Sequence, residues 1–196
     1  MIRFVLQSYL KTILGAAFSL YVLSFADGKS TLNAILAILF VVILAAFPVF
    51  FAIVLHKNQE NLQTEEMKQK IGSLYLGMRT ANKWQRLYSS VFLARRFIYA
   101  VLTITCINNP NILIHVFLLT NILYIVYVGL VSPNDTVMSR RMEIFNESGL
   151  QLVTYHLALF PLAHSTDGEF DWGWSMVGTV GFVFAANLGV MVLVSI

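Results

Sequence analysis

Thr31–Leu55 reads TLNAILAILFVVILAAFPVFFAIVL, twenty-five residues without a charge. The hydrocarbon core of a bilayer takes about 20 helical residues. A helix that is apolar on every face has no side to offer to water. The stretch therefore reads as a membrane span, with Pro48 as an expected kink.

Working outward from it, five more stretches have the length and apolarity of spans: about Phe4–Phe25, Ser90–Ile107, Ile112–Val131, Ile144–Ala163 and Trp172–Ile196. The expected fold class is all-α, a polytopic transmembrane helical bundle of about six spans forming one domain over residues 1–196. A cytosolic connection, 57–89, joins spans two and three. Lys11 interrupts the first span and is expected to snorkel to the inner surface. Leu23–Ala26 carries the bulky Leu23 and Phe25 and is not an Ala-x-Ala site, so the first span is expected to double as a signal-anchor. Pro161 falls near the outer end of the fifth span.

Composition agrees. The chain is 58% hydrophobic and 12% charged, about half the charged share of soluble domains, and its mean hydropathy is +0.73. A soluble fold of 196 residues has no interior large enough to hide that much apolar surface. The sequence pI near 9.1 could point to nucleic acid. Here, however, the positive charges flank apolar runs, which is the signature of membrane orientation. The single cysteine, Cys106, excludes an intrachain disulfide and reads as a small packed hydrophobe.

With six spans, twelve of the thirteen Lys and Arg residues fall on one side, Lys29 being the exception. The positive-inside rule makes that side cytosolic, so both termini are cytosolic. Residues 26–30, the NNPN turn at 108–111 and the acidic segment 164–171 then lie outside. Residues 57–89 and 132–143 lie inside. The sequons at Asn134 and Asn146 also fall inside, where no glycan is expected.

Several features carry candidate chemistry. Thr64 followed by Glu65 and Glu66 marks a helix start. From Lys68 to Tyr88 basic residues alternate with Leu and aromatic residues, which predicts an amphipathic interfacial segment, although Gly72 and Gly77 weaken one continuous helix. Arg79, Lys83, Trp84, Arg86, Arg95 and Arg96 are the candidate lipid or partner contacts. Arg95 and Arg96 have two possible placements: at headgroup level, or deeper and paired with Glu143 or Glu147. One adjacent pair is not the repeated Arg pattern of a voltage sensor.

Asn121, His115, Gln151, Tyr155, His156 and Asn187 are further polar groups inside spans. Gln151 and Tyr155 are expected on one helical face with Leu159, and Thr154 more loosely. Such groups line ion paths or, more commonly, hydrogen-bond between helices. His115 and His156 are too isolated to read as metal ligands. Asp167, Glu169 and Asp171 form a possible outer cation-attracting cluster, or simply a solvated acidic loop. About ten residues there are too few for a pore helix and selectivity filter. Gly181, Ala185 and Gly189 make a small-residue stripe suited to close helix packing.

No Gly-x-Ser-x-Gly, His-Glu-x-x-His or paired intramembrane aspartates occur. No enzyme activity, cofactor or metal is expected.

Two groups of segments resemble a known family. One comprises Ile71-Gly-Ser-Leu-Tyr-Leu-Gly-Met and Leu87-Tyr-Ser-Ser-Val-Phe-Leu-Ala-Arg-Arg-Phe-Ile-Tyr. The other comprises Arg141-Met-Glu-Ile-Phe-Asn-Glu, Tyr155-His-Leu and Asn187-Leu. Together, over about 71–196, they resemble the multi-span C-terminal region of large ciliate surface proteins. Those proteins are similar to transient-receptor-potential (TRP) and polycystin-like channels and to the fungal TRP-like flavin-carrier group. In that family the membrane region follows a large, often Cys-rich extracellular part, to which nothing in this chain corresponds. The resemblance implies a TRP-like module in a cell-surface or ciliary membrane, or in an organelle membrane, with ion transport as a possible activity. The alternative is a structural subunit or anchor of a larger complex. The expected partners are the lipid bilayer and other membrane subunits or further copies of the chain, with no nucleic acid.

Overall fold

The computed structural model describes residues 2–62, 64–160 and 166–195, with side chains for 8–62, 64–160, 168 and 170–193. Pro161 and the side chains of Arg3, Asp167 and Glu169 lie outside the described residues. Every regular element among those described is helical: α1 (Ile2–Tyr21), α2 (Gly28–Lys57), α3 (Glu65–Ile71), a 3₁₀ turn (Gly72–Leu74), α4 (Lys83–Arg86), α5 (Tyr88–Thr105), α6 (Pro110–Val131), α7 (Val137–Leu159) and α8 (Thr166–Ser195).

Three of these helices are long and apolar enough to cross a membrane: Gly28–Lys57, Pro110–Val131 and Phe170–Leu193 within α8. Along α2, Leu32, Ile35, Leu39, Val42, Val49, Phe50 and Ile53 all point outward. In water each would forgo roughly 1.5–3 kcal/mol of burial; in lipid the same surface is at home. The chain has the make-up of a membrane protein. The shorter or more charged α1, α5 and α7 pack against these three.

The chain divides into two compact units, 1–108 and 109–196. In the first, α1, α2 and α5 pack pairwise around Tyr9, Ile13, Leu44, Phe51, Leu55, Leu93 and Ala100. Helix α2 runs unbroken through Pro48. Proline has no N–H, so the carbonyl four residues earlier loses its helical donor. That carbonyl belongs to Leu44, and the buried Tyr9 hydroxyl donates to it at 2.8 Å. The proline is thus answered from a neighbouring helix, as buried backbone groups require.

The connection between α2 and α5 is folded onto this core. The expected amphipathic stretch 68–88 is not one helix. Helix α3 ends at Ile71, and the chain turns at Gly77 with φ +81°, a conformation that favours glycine. Leu62, Leu74 and Tyr75 are buried in the core. The Tyr75 hydroxyl donates to the Leu62 carbonyl at 2.7 Å, and Ser89 Oγ donates to the Leu74 carbonyl. Burial pushes the Tyr75 hydroxyl pKa above its ordinary value. The apolar residues of the segment therefore divide. Leu74 and Tyr75 turn inward, while Leu76 and Trp84 remain exposed.

In the second unit α7 is central, packing on α6 and on α8. Pro110 occupies the first turn of α6, where its missing N–H costs nothing. Helix α7 begins at Val137, seven residues before the expected span. Thr136 caps it by accepting from Ser139 N at 3.1 Å. Arg140, Arg141 and Glu143 are thus helical and not part of a loop. Helix α8 likewise begins at Thr166, so the acidic segment expected as a loop is helical from there on. Acids in a first turn complement the positive end of the helix dipole. Asp27 caps α2 through a reciprocal box with Ser30, which moves Lys29 from the expected outer loop into the first helical turn.

Candidate functional site

Two groups of side chains merit a functional reading, one in each unit.

The first lies where α2 ends and α4 begins. Asn82 N donates to Gln85 Oε1 at 3.2 Å, fixing the start of α4, and Gln85 is buried. Arg86 is held by oxygen acceptors: Nη1 donates to the Thr80 carbonyl at 3.0 Å and to Ala81 at 3.3 Å, and Nη2 to Gln59 Oε1 at 3.0 Å. These acceptors are neutral, so none of them offsets the guanidinium charge. Lys83 and His56 are exposed and converge with Arg86 on a cavity of about 30 Å³, also lined by Ala52, Leu55 and Leu87. Trp84 is 62% exposed. Arg79 is exposed as well, but does not line this cavity. His56 was not expected here; its place in the last turn of α2, beside Lys57, was the available signal.

Arg95 and Arg96 lie elsewhere, about 10–12 Å along α5 from its start. Both are half-buried. The Arg96 guanidinium stacks over Phe92 at 4.0 Å from the ring centroid, and that of Arg95 lies 5.5 Å from the Tyr99 centroid. Aromatic faces of this kind lower the cost of a cation away from water.

The second group joins the helices of the other unit. Asn121 Nδ2, on α6, donates to the Glu147 carbonyl and to Gln151 Oε1, both at 2.9 Å. The Glu143 carboxylate accepts from Tyr124 at 2.7 Å and from Asn134 at 2.8 Å. Between α7 and α8, Asn146 and Asn187 exchange amide hydrogen bonds at 3.1 and 2.6 Å. Asn146 belongs to a sequon and Asn187 stands out as a polar group within a span; their pairing, 41 residues apart, has no local signal. Gln151 and Thr154 are buried, whereas Tyr155, one turn beyond Gln151 on the same side of α7, is 42% exposed.

His156 meets Ser175 across the same helix pair. Its Nδ1 donates to the Leu152 carbonyl at 2.7 Å, so Nε2 is left to accept from Ser175 Oγ at 2.9 Å. Trp172 packs edge-to-face with the imidazole ring, centroids 5.7 Å apart. This is a base and a hydroxyl in contact. Ser175 sits inside α8, where neighbouring backbone N–H groups are committed to the helix. The contact links α7 to α8. His115 bonds within its own helix, Nδ1 to the Asn111 carbonyl at 2.7 Å. No group of three His, Cys, Asp or Glu side chains that could hold a metal occurs among the described residues.

Gly149 is the close-approach position. A Cβ there would lie 2.5 Å from Val183 Cγ2, so only glycine lets α7 and α8 come this near. The stripe Gly181, Ala185 and Gly189 falls on an exposed side of α8, with open space beyond both glycines. Asp171 is exposed near the start of α8.

No protein-family model, curated protein or solved structure matches the chain.

Proposed function

We propose that this chain is a non-catalytic, multi-pass integral membrane protein, a TRP-like helical module that serves as a structural subunit of a larger membrane assembly. In this reading α1, α2, α5, α6, α7 and α8 all span, and both termini face the cytosol with the basic connection. The observation that carries it is the pairing of polar groups on the helices of the second unit. Asn121 with Gln151, Asn146 with Asn187 and His156 with Ser175 are spent on helix association, the commonest use of such groups in lipid. The open stripe Gly181, Ala185 and Gly189 on α8 is consistent with a further helix from a partner subunit or a second copy.

A cation-conducting role is the second reading. One observation favours it: Gln151 Nε2 is buried without a hydrogen-bond partner, and such an amide suits a wetted path through a bundle. Asp171, with Asp167 and Glu169 close in sequence, would draw cations to the outer end.

Purification in mild detergent, followed by reconstitution in planar bilayers, separates the two. The structural reading expects copurification with fixed partners at constant stoichiometry and no current under voltage, stretch or calcium. Cation currents from the chain alone, abolished by Gln151→Leu, would replace it with the channel reading.

A further inference from the structure

We propose that His56, Lys83 and Arg86 bind the phosphate of an anionic phospholipid in the inner leaflet. The proposal rests on the reading of α2 as a span with its C-terminal end in the cytosol.

The site is at the right height. Helix α2, one of the three long apolar helices, ends at Leu55-His-Lys57, and the cavity opens against that last turn. A helix that crosses the hydrocarbon places its terminal turn among the headgroups. Trp84, on the same short helix as Lys83 and Arg86, is exposed, as is Leu76. An indole beside cations at this level is the usual anchor of a membrane interface.

The charge is also right. Of the three carboxylates in the connection, Glu65 and Glu66 are taken by Lys68 and Lys70 at 2.9 and 2.6 Å, and Glu60 is exposed and outside the cavity lining. Lys83, His56 and Lys57 have neither an ion pair nor a hydrogen bond from their side chains among the described residues. Arg86 meets neutral oxygens alone. The cavity therefore gathers cationic groups with no carboxylate among its lining residues.

Size is compatible with such a ligand. A cavity of about 30 Å³ exceeds the roughly 10–15 Å³ that a single water needs. A phosphate oxygen can enter toward Arg86, with Lys83 and His56 also lining the site. Glycerol and acyl chains then continue along the apolar outer face of α2. A zwitterionic headgroup would bring its ammonium against the same cations, so phosphatidylglycerol should be preferred to phosphatidylcholine.

The test is native mass spectrometry of the purified full-length protein in detergent, titrated in turn with phosphatidylglycerol, phosphatidylcholine and inorganic phosphate. Wild type should retain phosphatidylglycerol about tenfold better than phosphatidylcholine. Lys83→Gln combined with His56→Gln should abolish that preference, whereas Lys57→Gln, outside the cavity, should keep it. Both altered side chains are exposed and unbonded, so an unchanged circular dichroism spectrum and elution volume will show that folding is intact. Equal retention of the two lipids by wild type overturns the proposal. So does full retention by the double variant. Displacement of the lipid by millimolar inorganic phosphate would make this a free-phosphate site, and an acidic protein crosslinked through Lys83 in native membranes would make it a protein contact; either result overturns it. The detergent assay is blind to orientation, so its failure is distinct from a failure of the proposed topology.

Discussion

Tyr9→Phe should destabilise the first unit through one atom, and only while Pro48 is present. The lost hydroxyl is the donor to Leu44, the carbonyl that Pro48 leaves without its helical partner. Tyr9 is 1% exposed, so water does not replace the bond. A buried acceptor left unsatisfied costs about 1–3 kcal/mol. Hydrogen bonds inside membrane bundles average about 0.6 and reach about 1.7 kcal/mol. Because Pro48 removes the i+4 donor to this carbonyl, the loss should lie near the top of that range, about 1.5 kcal/mol. In a Pro48→Ala background, residue 48 regains an N–H that bonds Leu44 within α2. There Tyr9→Phe should cost less than about 0.5 kcal/mol, what remains of lost packing. The assay is reversible unfolding in mixed micelles with rising dodecyl sulfate, run on all four members of the cycle. Equal losses from Tyr9→Phe with Pro48 intact and in the Pro48→Ala background would refute the reasoning, since Tyr9 would then act independently of the proline.

Other consequences concern the remaining contacts. Gly149→Ala places a Cβ 2.5 Å from Val183 Cγ2 and should cost about 1–3 kcal/mol by overpacking; adding Val183→Ala should restore most of it, read by the same unfolding. Asn187→Ala should cost about 0.6–1.7 kcal/mol, and adding Asn146→Ala should cost little more, because the two amides act as one pair. The Ser30 side chain and backbone hydrogen bonds hold the Asp27 carboxyl below its ordinary pKa of 3.8. Since the folded value is the lower one, the cap's contribution is present above pH 3.8 and is lost as pH falls through the depressed value. NMR titration should show the Asp27 pKa rise toward 3.8 in Ser30→Ala, with earlier fraying of the first turn of α2 on acidification.

What the sequence made legible was set by local chemistry. The run Thr31–Leu55 predicts its helix because twenty-five uncharged, mostly apolar residues have one solution in lipid. Pro110 and the Asn residues before it mark the break ahead of α6 by known turn preferences. The starts of α7 at Val137 and α8 at Thr166 were hidden because charged residues in the early turns look like loop. Leu74 and Tyr75 looked interfacial, as Leu76 and Trp84 do. Which of them turns inward depends on Gly77 and on the Leu62 carbonyl, 13 residues from Tyr75. Gly149 carries no sign of its contact, because the side chain that requires it belongs to Val183 on another helix. Gly181, Ala185 and Gly189 carried the spacing signal for close packing, yet the tight approach within the unit falls at Gly149. The polar residues showed the same division. Asn121 and Gln151 stood out as polar atoms in apolar surroundings, but their pairing is a property of how α6 meets α7.

Cysteine accessibility in a Cys106→Ala background directly tests the proposed membrane arrangement, six spans with the basic connection inside. Single cysteines at Lys29, Asn109, Lys83 and Asp135, treated with an impermeant maleimide in sealed, right-side-out cell-membrane preparations, should divide two and two. Lys29→Cys and Asn109→Cys should label from outside at once, while Lys83→Cys and Asp135→Cys should label only after the membrane is opened. Outside labelling at Lys83→Cys, or protection of Asn109→Cys, would contradict the arrangement.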